Sequence, residues 1–239
     1  MRKIKMKIRI PALLWPDTCP FCGKVYSGGV CPLCAGKVKR LEVREPKCMQ
    51  CGKPVRRPEE EYCHDCAHTH HQYDRGRSIW LHRPPVSTSI YRFKYQNQRS
   101  YGSYYAKKLK EHCGRYIKAW NPEIIIPIPL HPKRRRRRGY NQAEILAGEL
   151  SKLTGIPADF STLVRIRNSV PLKQLAGRER RRNMKGVFAV SRNFVPGASV
   201  LLVDDIYTTG STMDAAAEIL KKSGVGKVYF LTISIGQGY

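Results

Sequence analysis

The 239-residue sequence has few acidic residues and no long apolar run. Asp and Glu total 18 against 44 Lys and Arg, which gives a formal net charge of +26. An excess of cations on this scale attracts polyanions: nucleic acid, phosphorylated ligands or an anionic membrane face. No apolar stretch approaches the roughly 20 residues that cross a bilayer. We therefore expect no membrane insertion.

The N-terminus also lacks the pattern of a secretory signal. Residues 1–10 alternate basic and apolar side chains, and the short apolar run after them, residues 11–16, begins and ends with proline. Such a run is too short for the apolar core of a signal peptide. We therefore expect a cytoplasmic protein, and cysteines in that compartment rarely form structural disulfides.

Eight of the nine cysteines fall in four C-x-x-C pairs within the first 66 residues: Cys19/Cys22, Cys31/Cys34, Cys48/Cys51 and Cys63/Cys66. A C-x-x-C pair places two thiolates on one tetrahedral ion, and two pairs complete a Cys₄ set. Two structural Zn²⁺ sites are therefore predicted. In the simplest arrangement, consecutive pairs share one ion, although interleaved pairs are also possible. The alternative to metal binding is that the cysteines form redox-active dithiols or disulfides. Because protein atoms fill all four positions, neither site would be catalytic.

Four histidines lie within the last cysteine pair or just after it. Each could replace a thiolate as a zinc ligand, but the cysteines already suffice. We therefore expect these side chains at the surface: His64, His68, His70 and His71.

The chain divides into a zinc module (residues 1–68), a connector (residues 69–89) and a larger domain (residues 90–239). In the larger domain, short apolar runs such as residues 200–203 alternate with segments of helical periodicity. Strands that alternate with helices predict an α/β fold, a parallel sheet with helices on its faces.

A doubled acid and a run of small residues follow the apolar strand at 200–203. Asp204 and Asp205 can accept hydrogen bonds from the vicinal hydroxyls of a ribose. The amides of Thr208–Thr212 face outward at the start of the next helix, where the helix dipole favours an anion, and Gly210 allows close approach. Helix capping alone needs one hydroxyl. The segment therefore predicts a sugar-phosphate site, and the absence of a G-x-x-x-x-G-K-[ST] run excludes a P-loop.

A second segment is strongly basic. The short apolar strand predicted at 123–129 runs into a loop with six consecutive bases, Lys133–Arg138, and then into a helix. Such a loop can bind a diphosphate through charge-assisted hydrogen bonds. Six bases exceed that need, so some can face another polyanion; a solvated basic loop is the alternative. His131 is a candidate general base, although its position beside Pro132 favours a structural role.

These segments resemble the motifs of two related families. Residues 203–212 are similar to the phosphoribosyl-pyrophosphate (PRPP) loop of type I phosphoribosyltransferases. Residues 126–142, the L-x-R-x-R pattern at 163–167 and the F-K-Y segment at 93–95 resemble the ComF family of DNA-uptake proteins. Leu172 departs from that pattern, where the family often has Gln. With the cysteine pairs included, the resemblance extends from Trp15 to the C-terminus.

The resemblance implies a type I phosphoribosyltransferase-like domain behind a zinc ribbon. Asp204 and Asp205 would be the catalytic carboxylates on the ribose, and a Mg²⁺ ion would bridge pyrophosphate and ribose oxygens. The predicted PRPP contacts are Asp204, Asp205, Ile206, Tyr207, Thr208, Thr209, Gly210, Ser211 and Thr212. The predicted pyrophosphate-loop contacts are Leu130, His131, Lys133 and Arg138. In related transferases the region that begins near residue 163 forms a mobile flap; here its bases include Arg178 and Arg180–Arg182.

The same resemblance implies a role in DNA uptake, with single-stranded DNA, a competence helicase and recombination proteins as partners. Tyr91, Phe93 and Tyr95, interleaved with bases, fit stacking on single strands. Two alternatives stay open. One is an active phosphoribosyltransferase acting on an unidentified base or amine, and the other is a non-catalytic scaffold that retains the fold.

Overall fold

The computed structural model describes residues 17–27, 29–168, 183–192 and 194–237. Four parallel strands form a sheet in the order β1-β6-β5-β2, and two short strands, β3 and β4, pair antiparallel. The strands are β1 Arg75–Leu81, β2 Ile124–Pro127, β3 Leu163–Arg165, β4 Phe188–Val190, β5 Ser199–Tyr207 and β6 Lys227–Ile235. The helices are α1 Pro32–Lys39, α2 His64–His68, α3 Val86–Tyr95, α4 Tyr101–Trp120, α5 Pro132–Arg138, α6 Gln142–Thr154 and α7 Ser211–Lys222.

The sheet carries a separate apolar core on each face, as alternation along β5 shows. Leu201 and Val203 pack with α3, α4 and α6, whereas Val200 and Leu202 pack with α7. All four side chains are fully buried. Because both faces are covered, β5 is apolar without interruption from Val200 to Val203, which is typical of a parallel strand in an α/β protein. The predicted α/β fold is confirmed.

The predicted helix and strand positions in the larger domain are close to those observed. Ala143, Leu146, Ala147 and Leu150 form the fully buried face of α6. The helix predicted over residues 101–117 continues to Trp120, because Asn121 adopts a left-handed conformation there (φ 45°) and its amide donates to Ile117 O.

Residues 69–89, which the sequence predicts to be a connector, contain β1. This strand pairs with β6, Gly76 opposite Phe230, and forms one edge of the sheet. A Cβ atom on Gly76 would stand 2.0 Å from the Phe230 ring, so the glycine that weakens the strand pattern makes room for an aromatic side chain. The strand was missed because its small residues imitate a loop.

The basic segment after β2 is a helix, α5, and not the predicted loop. His131 is its N-cap, with Nδ1 accepting from the Lys133 amide at 3.3 Å, and Pro132 occupies the first turn. Gly139 ends the helix in a left-handed conformation, φ 82°. Since Pro and Gly mark both ends, the bases between them can be helical despite their mutual repulsion.

Two further observations concern membrane-spanning helices and the predicted flap. No helix among the described residues combines the length and apolarity needed to span a bilayer. Leu172, Arg178 and Arg180–Arg182 of the predicted flap lie outside the described residues.

Candidate functional site

Two segments with predicted chemistry leave the sheet at the same edge. Pro127, the last residue of β2, lies opposite Val203 of the parallel strand β5, which continues through Asp204 and Asp205 to Tyr207. Both chains therefore leave the sheet at the same edge. The chain after β2 enters α5, and the chain after β5 enters the loop Thr208–Gly210 and then α7. Ligands of open α/β sheets bind at such carboxyl ends.

The loop after β5 presents a row of backbone N–H groups at the start of α7. Within the described part of the chain, no amide from Thr208 to Thr212 donates to another residue; the first helical bond of α7 runs from the Asp214 amide to Gly210 O at 2.8 Å. Gly210, at φ 81°, is the N-cap, and the hydroxyls of Thr209 and Ser211 lie 2.9 Å apart. Free amides at a helix N-terminus form an anion site. We call residues 208–212, the predicted contacts of the phosphate, the phosphate loop.

The two carboxylates before the loop have different surroundings. Asp205 is 3% exposed, and its Oδ2 lies 2.6 Å from Lys94 Nζ. Asp204 is half-buried, and its Oδ1 accepts the Asp205 amide at 2.8 Å. Burial raises the pKa of Asp204 to about 6, although Lys94, Arg138 and Arg165 act in the opposite direction. Of the two predicted catalytic acids, Asp204 is therefore the one that a ligand at this edge can reach.

Guanidinium groups from two elements cluster near Asp204. Burial, reinforced by the charge of Arg134, lowers the pKa of Arg165 to about 10, while Asp204 opposes this shift. Burial and the charge of Arg138 likewise lower the pKa of Arg134. Mutual repulsion among buried cations is relieved when an anion binds between them. Arg134 thus interacts electrostatically with Arg138 and Arg165, and the last two also act on Asp204. The predicted contacts were drawn from the segment after β2 alone.

The other predicted contacts are placed as follows. Ile206 and Tyr207 send their side chains into the two cores, so only their backbone faces the loop. His131 caps α5, Leu130 is half-buried and Lys133 is exposed.

Exposed tyrosines flank the basic helix α5. Tyr91 and Tyr95 are 54% and 51% exposed, with ring centroids 5.0 Å apart, and the Arg138 guanidinium lies 4.7 Å from the Tyr95 ring. The prediction that Phe93 stacks on single-stranded DNA with these tyrosines is wrong, because the Phe93 side chain is fully buried. Positions i and i+4 share a face of α3, and position i+2 faces the core.

The eight cysteines form the two predicted tetrads, and each combines consecutive pairs, the simpler of the two arrangements that the sequence left open: Cys19, Cys22, Cys31, Cys34 and Cys48, Cys51, Cys63, Cys66. Within each tetrad all Sγ atoms lie within 4.8 Å of one another; Cys22 and Cys31 are 3.8 Å apart, and Cys51 and Cys63 are 3.6 Å apart. Four sulfurs about 2.3 Å from a tetrahedral ion would be about 3.8 Å apart. Both donor sets therefore fit structural zinc.

The tetrads pack on opposite faces of the sheet. Cys19 and Cys34 of the first belong to the core with α3 and α4, and Arg92 of α3 donates to Phe21 O at 3.3 Å. Cys48, Cys51 and Cys63 of the second belong to the core that includes Tyr207 and α7. The cysteine spacing alone does not predict that the two tetrads lie on opposite faces of the sheet.

The sequence did not predict the contacts that two residues near the site make, Lys94 and His71. Lys94 belongs to the quoted F-K-Y segment, yet no local pattern predicts its pairing with Asp205. His71 was expected at the surface and is 4% exposed, so that expectation was wrong. Its Nδ1 lies 2.8 Å from Asp214 Oδ2, across 143 positions of sequence.

Comparison with known families agrees with this architecture. The family model described as double zinc ribbon domain matches residues 10–67, and the model described as phosphoribosyl transferase domain matches residues 109–234.

Relatives with assigned names match most of the chain. Competence protein F of Haemophilus influenzae is 34% identical over 209 residues, which cover 85% of this chain and 89% of that protein. The DNA utilization protein YhgH of Salmonella typhimurium is 29% identical, covering 92% of this chain and 96% of that protein. Competence protein ComFC of Bacillus subtilis is 26% identical, covering 82% and 79%.

Proposed function

Because this chain belongs to the ComF family, with a double zinc ribbon ahead of a phosphoribosyltransferase domain, we propose that it binds PRPP at the phosphate loop and single-stranded DNA on α3 and α5 during DNA uptake. In this proposal it acts in the cytoplasm, beside a helicase and recombination proteins. The names of its relatives refer to competence and to DNA utilization. The observation that carries the phosphosugar part is the row of unclaimed amides beside Asp204 and three arginines.

Each part of PRPP has a chemical counterpart at this edge. The 5′-phosphate fits the amides of the phosphate loop, where no side chain of the described residues competes for them. The ribose hydroxyls fit Asp204, a carboxylate beside that loop. The diphosphate fits the guanidinium cluster of Arg134, Arg138 and Arg165, since guanidinium groups bind phosphate through paired hydrogen bonds.

A divalent cation fits the same place. Mg²⁺ prefers carboxylate and phosphate oxygens, and Asp204 is the more accessible carboxylate there. When bound, the ion supplies charge neutralisation to the diphosphate.

The residues also suit transfer of the phosphoribosyl group. Departure of pyrophosphate leaves positive charge at the anomeric carbon and builds negative charge on the leaving group. Asp204 would favour the first, and the arginine cluster would stabilise the second. No residue near the loop is assigned as the base that activates an acceptor.

Calorimetry with PRPP and Mg²⁺ tests the phosphosugar site. We expect saturable, Mg²⁺-dependent binding, weakened about 100-fold or more by Asp204→Asn, because the carboxylate is lost while its shape is kept. The matched control is Glu149→Gln, which removes a carboxylate on the surface of α6. Folded, zinc-loaded protein without detectable binding at millimolar PRPP would reject the proposal.

A second measurement separates an enzyme from a scaffold. If the protein turns PRPP over with an acceptor, pyrophosphate is released when candidate bases or amines are supplied. Binding without release across such a panel identifies the non-catalytic scaffold.

The DNA part of the proposal has its own supporting observation. Tyr91 and Tyr95 expose two rings side by side, and Arg138 lies over the second. Arg136 and Arg137 are exposed on the adjoining helix. Aromatic faces beside a row of cations are typical of single-strand binding, where bases stack and phosphates pair with the cations.

Anisotropy with a labelled oligo(dT) at several salt concentrations tests this surface. Tyr91→Ala/Tyr95→Ala should weaken binding about tenfold or more without changing the salt slope, because stacking releases no counterions. Arg136→Ala/Arg137→Ala should lower the slope instead, by about 0.7 per lost phosphate contact. Tyr62→Ala, an equally exposed tyrosine in the zinc module, is the control. Salt-insensitive binding, or loss with the control alone, would count against this surface.

A further inference from the structure

The phosphate loop is backed by a layer of buried polar residues that the proposed function does not use. We infer that His71 is a positioning residue: it holds the first turn of α7 so that the phosphate loop can receive an anion. This inference rests on the proposed phosphosugar site. It concerns a residue that approaches the loop from behind and touches no part of the ligand.

His71 restrains an acid in the first turn of α7. Asp214 is that acid, and both of its oxygens are engaged: His71 Nδ1 lies 2.8 Å from Oδ2, and the Gln72 amide donates to Oδ1 at 2.9 Å. A carboxylate can only accept, so the His71 ring carries its proton on Nδ1. Its Nε2 is buried and has no hydrogen-bond partner among the described residues.

The restraint matters because of what Asp214 would otherwise do. A carboxylate in the first turn of a helix is attracted to the same N-terminal amides that bind a phosphate. It also repels a bound phosphate through its charge. Hydrogen bonds from His71 and Gln72 occupy both oxygens of this carboxylate and offset part of its charge. The amides of the phosphate loop are then left for the ligand.

The His71 ring also lies against the back of the phosphate loop itself. A Cβ atom built on Gly210 would stand 3.1 Å from His71 Cε1 and 2.8 Å from the Tyr207 hydroxyl. The loop backbone therefore has no room to move rearward at Gly210. This contact fixes the glycine whose amide is part of the anion site.

A chain of contacts links this layer to the second cysteine tetrad. The His71 ring stacks on Tyr73 with centroids 4.8 Å apart, and the Tyr73 and Tyr207 hydroxyls are 2.6 Å apart. Lys53 lies next: its Nζ is 5.7 Å from the Tyr207 ring centroid, and its amide is 3.5 Å from Cys51 Sγ. The zinc module thus reaches the rear of the phosphate loop.

The test compares PRPP affinity among variants of two adjacent histidines. His71→Ala should weaken PRPP binding at least tenfold, while His71→Asn, whose amide keeps a donor near the Nδ1 position, should stay within about threefold of the wild type. His70→Ala is the control, since His70 is exposed. Zinc content and oligo(dT) affinity should be unchanged in all three, which shows that the fold is intact.

A double variant separates restraint of Asp214 from general support. In an Asp214→Ala background the acid is gone, so His71→Ala should weaken PRPP binding no more than about threefold, and the contact of the ring with Gly210 accounts for that remainder. If His71→Ala alone fails to fold, the comparison of His71→Asn with Asp214→Ala/His71→Asn serves instead, and equal PRPP affinity in the two is expected.

The outcomes distinguish this inference from the proposed function. A wild-type protein that does not bind PRPP overturns both. Wild-type binding with undiminished binding by His71→Ala overturns the inference alone, as does an equal loss in both backgrounds.

Discussion

The two cysteine tetrads have the same ligands and nearly the same sulfur spacing, yet they support different parts of the molecule. The first packs against α3 and α4, and its knuckle accepts a hydrogen bond from Arg92 of α3. The second packs on the opposite face, behind Tyr207 and α7. The difference shows that two structural metal sites with the same ligands can stabilise different surfaces. The function of each site depends on the elements that pack against it, because a site with four protein ligands has no open position for catalysis.

This comparison assigns one tetrad to each proposed ligand. Helix α3 carries the exposed pair Tyr91 and Tyr95, so the first tetrad supports the candidate DNA surface. The second supports the phosphate loop through Tyr73 and Tyr207. Lys94 joins the two halves, because it belongs to α3 and pairs with Asp205 of β5.

The largest effect expected is loss of a metal ligand, because structural zinc supplies on the order of 10 kcal/mol of folding free energy in small domains. Cys51→Ser should remove one of two zinc ions and weaken PRPP binding more than 100-fold, with oligo(dT) affinity reduced far less. Cys22→Ser should reverse that order. Zinc content by mass spectrometry and the two affinities measure this. Equal loss of both ligands in both variants would break the comparison.

The next effect concerns the residue that joins the halves. Lys94→Ala leaves the buried Asp205 carboxylate without its cation and should lower the free energy of unfolding by about 3 kcal/mol. Lys94→Ala/Asp205→Asn should recover most of that loss, because no buried charge remains. Lys108→Ala, which breaks a pair between Lys108 and Glu111 on the surface of α4, should cost no more than about 0.5 kcal/mol. Urea denaturation measures all three, and a Lys94 loss as small as that of Lys108 would contradict the pairing.

The smallest effect on stability is expected for Asp204→Asn, which should stabilise the fold but weaken PRPP binding. Folding raises the pKa of Asp204 to about 6, so the folded state favours its protonated form. The resulting stability is complete below the ordinary pKa of about 4 and is lost as the pH rises through 6. At pH 7.5, Asp204→Asn should therefore raise the free energy of unfolding by roughly 1–2 kcal/mol while it weakens PRPP binding.

The pH dependence of the wild type provides the check on Asp204. PRPP affinity should fall as the pH is lowered through about 6, since the carboxylate becomes protonated. Two results together would contradict this account: a free energy of unfolding unchanged by Asp204→Asn, and a PRPP affinity that stays constant from pH 5 to 7.5.

What the sequence could predict depended on whether the signal was local. The C-x-x-C spacings, the apolar face of α6 and the turn from β5 into α7 involve residues within a few positions of one another. The pairing of Lys94 with Asp205, the burial of His71 and the separation of the tetrads onto two faces depend on contacts between distant parts of the chain, from 71 positions between Phe21 and Arg92 to 143 between His71 and Asp214. No periodicity encodes such contacts, because the chain path between them is set by the packing of the whole domain.

Two local misjudgements have local physical reasons. In β1, Gly76 reads as a loop residue although it makes room for Phe230. In α5, six bases read as an extended loop although Pro132 and Gly139 mark the two ends of a helix. Attention to the helix-end residues would have found the second, whereas the first needed knowledge of the partner strand.

The central claim is that the backbone after β5 binds the phosphate of a phosphosugar while DNA binds elsewhere. Backbone amide NMR shifts during titration with PRPP and Mg²⁺, and separately with oligo(dT), test it most directly. Resonances of Thr208–Thr212, with Gly210 foremost, should move with PRPP and stay in place with oligo(dT). If those amides do not respond to PRPP, or if oligo(dT) moves them equally, the account is contradicted.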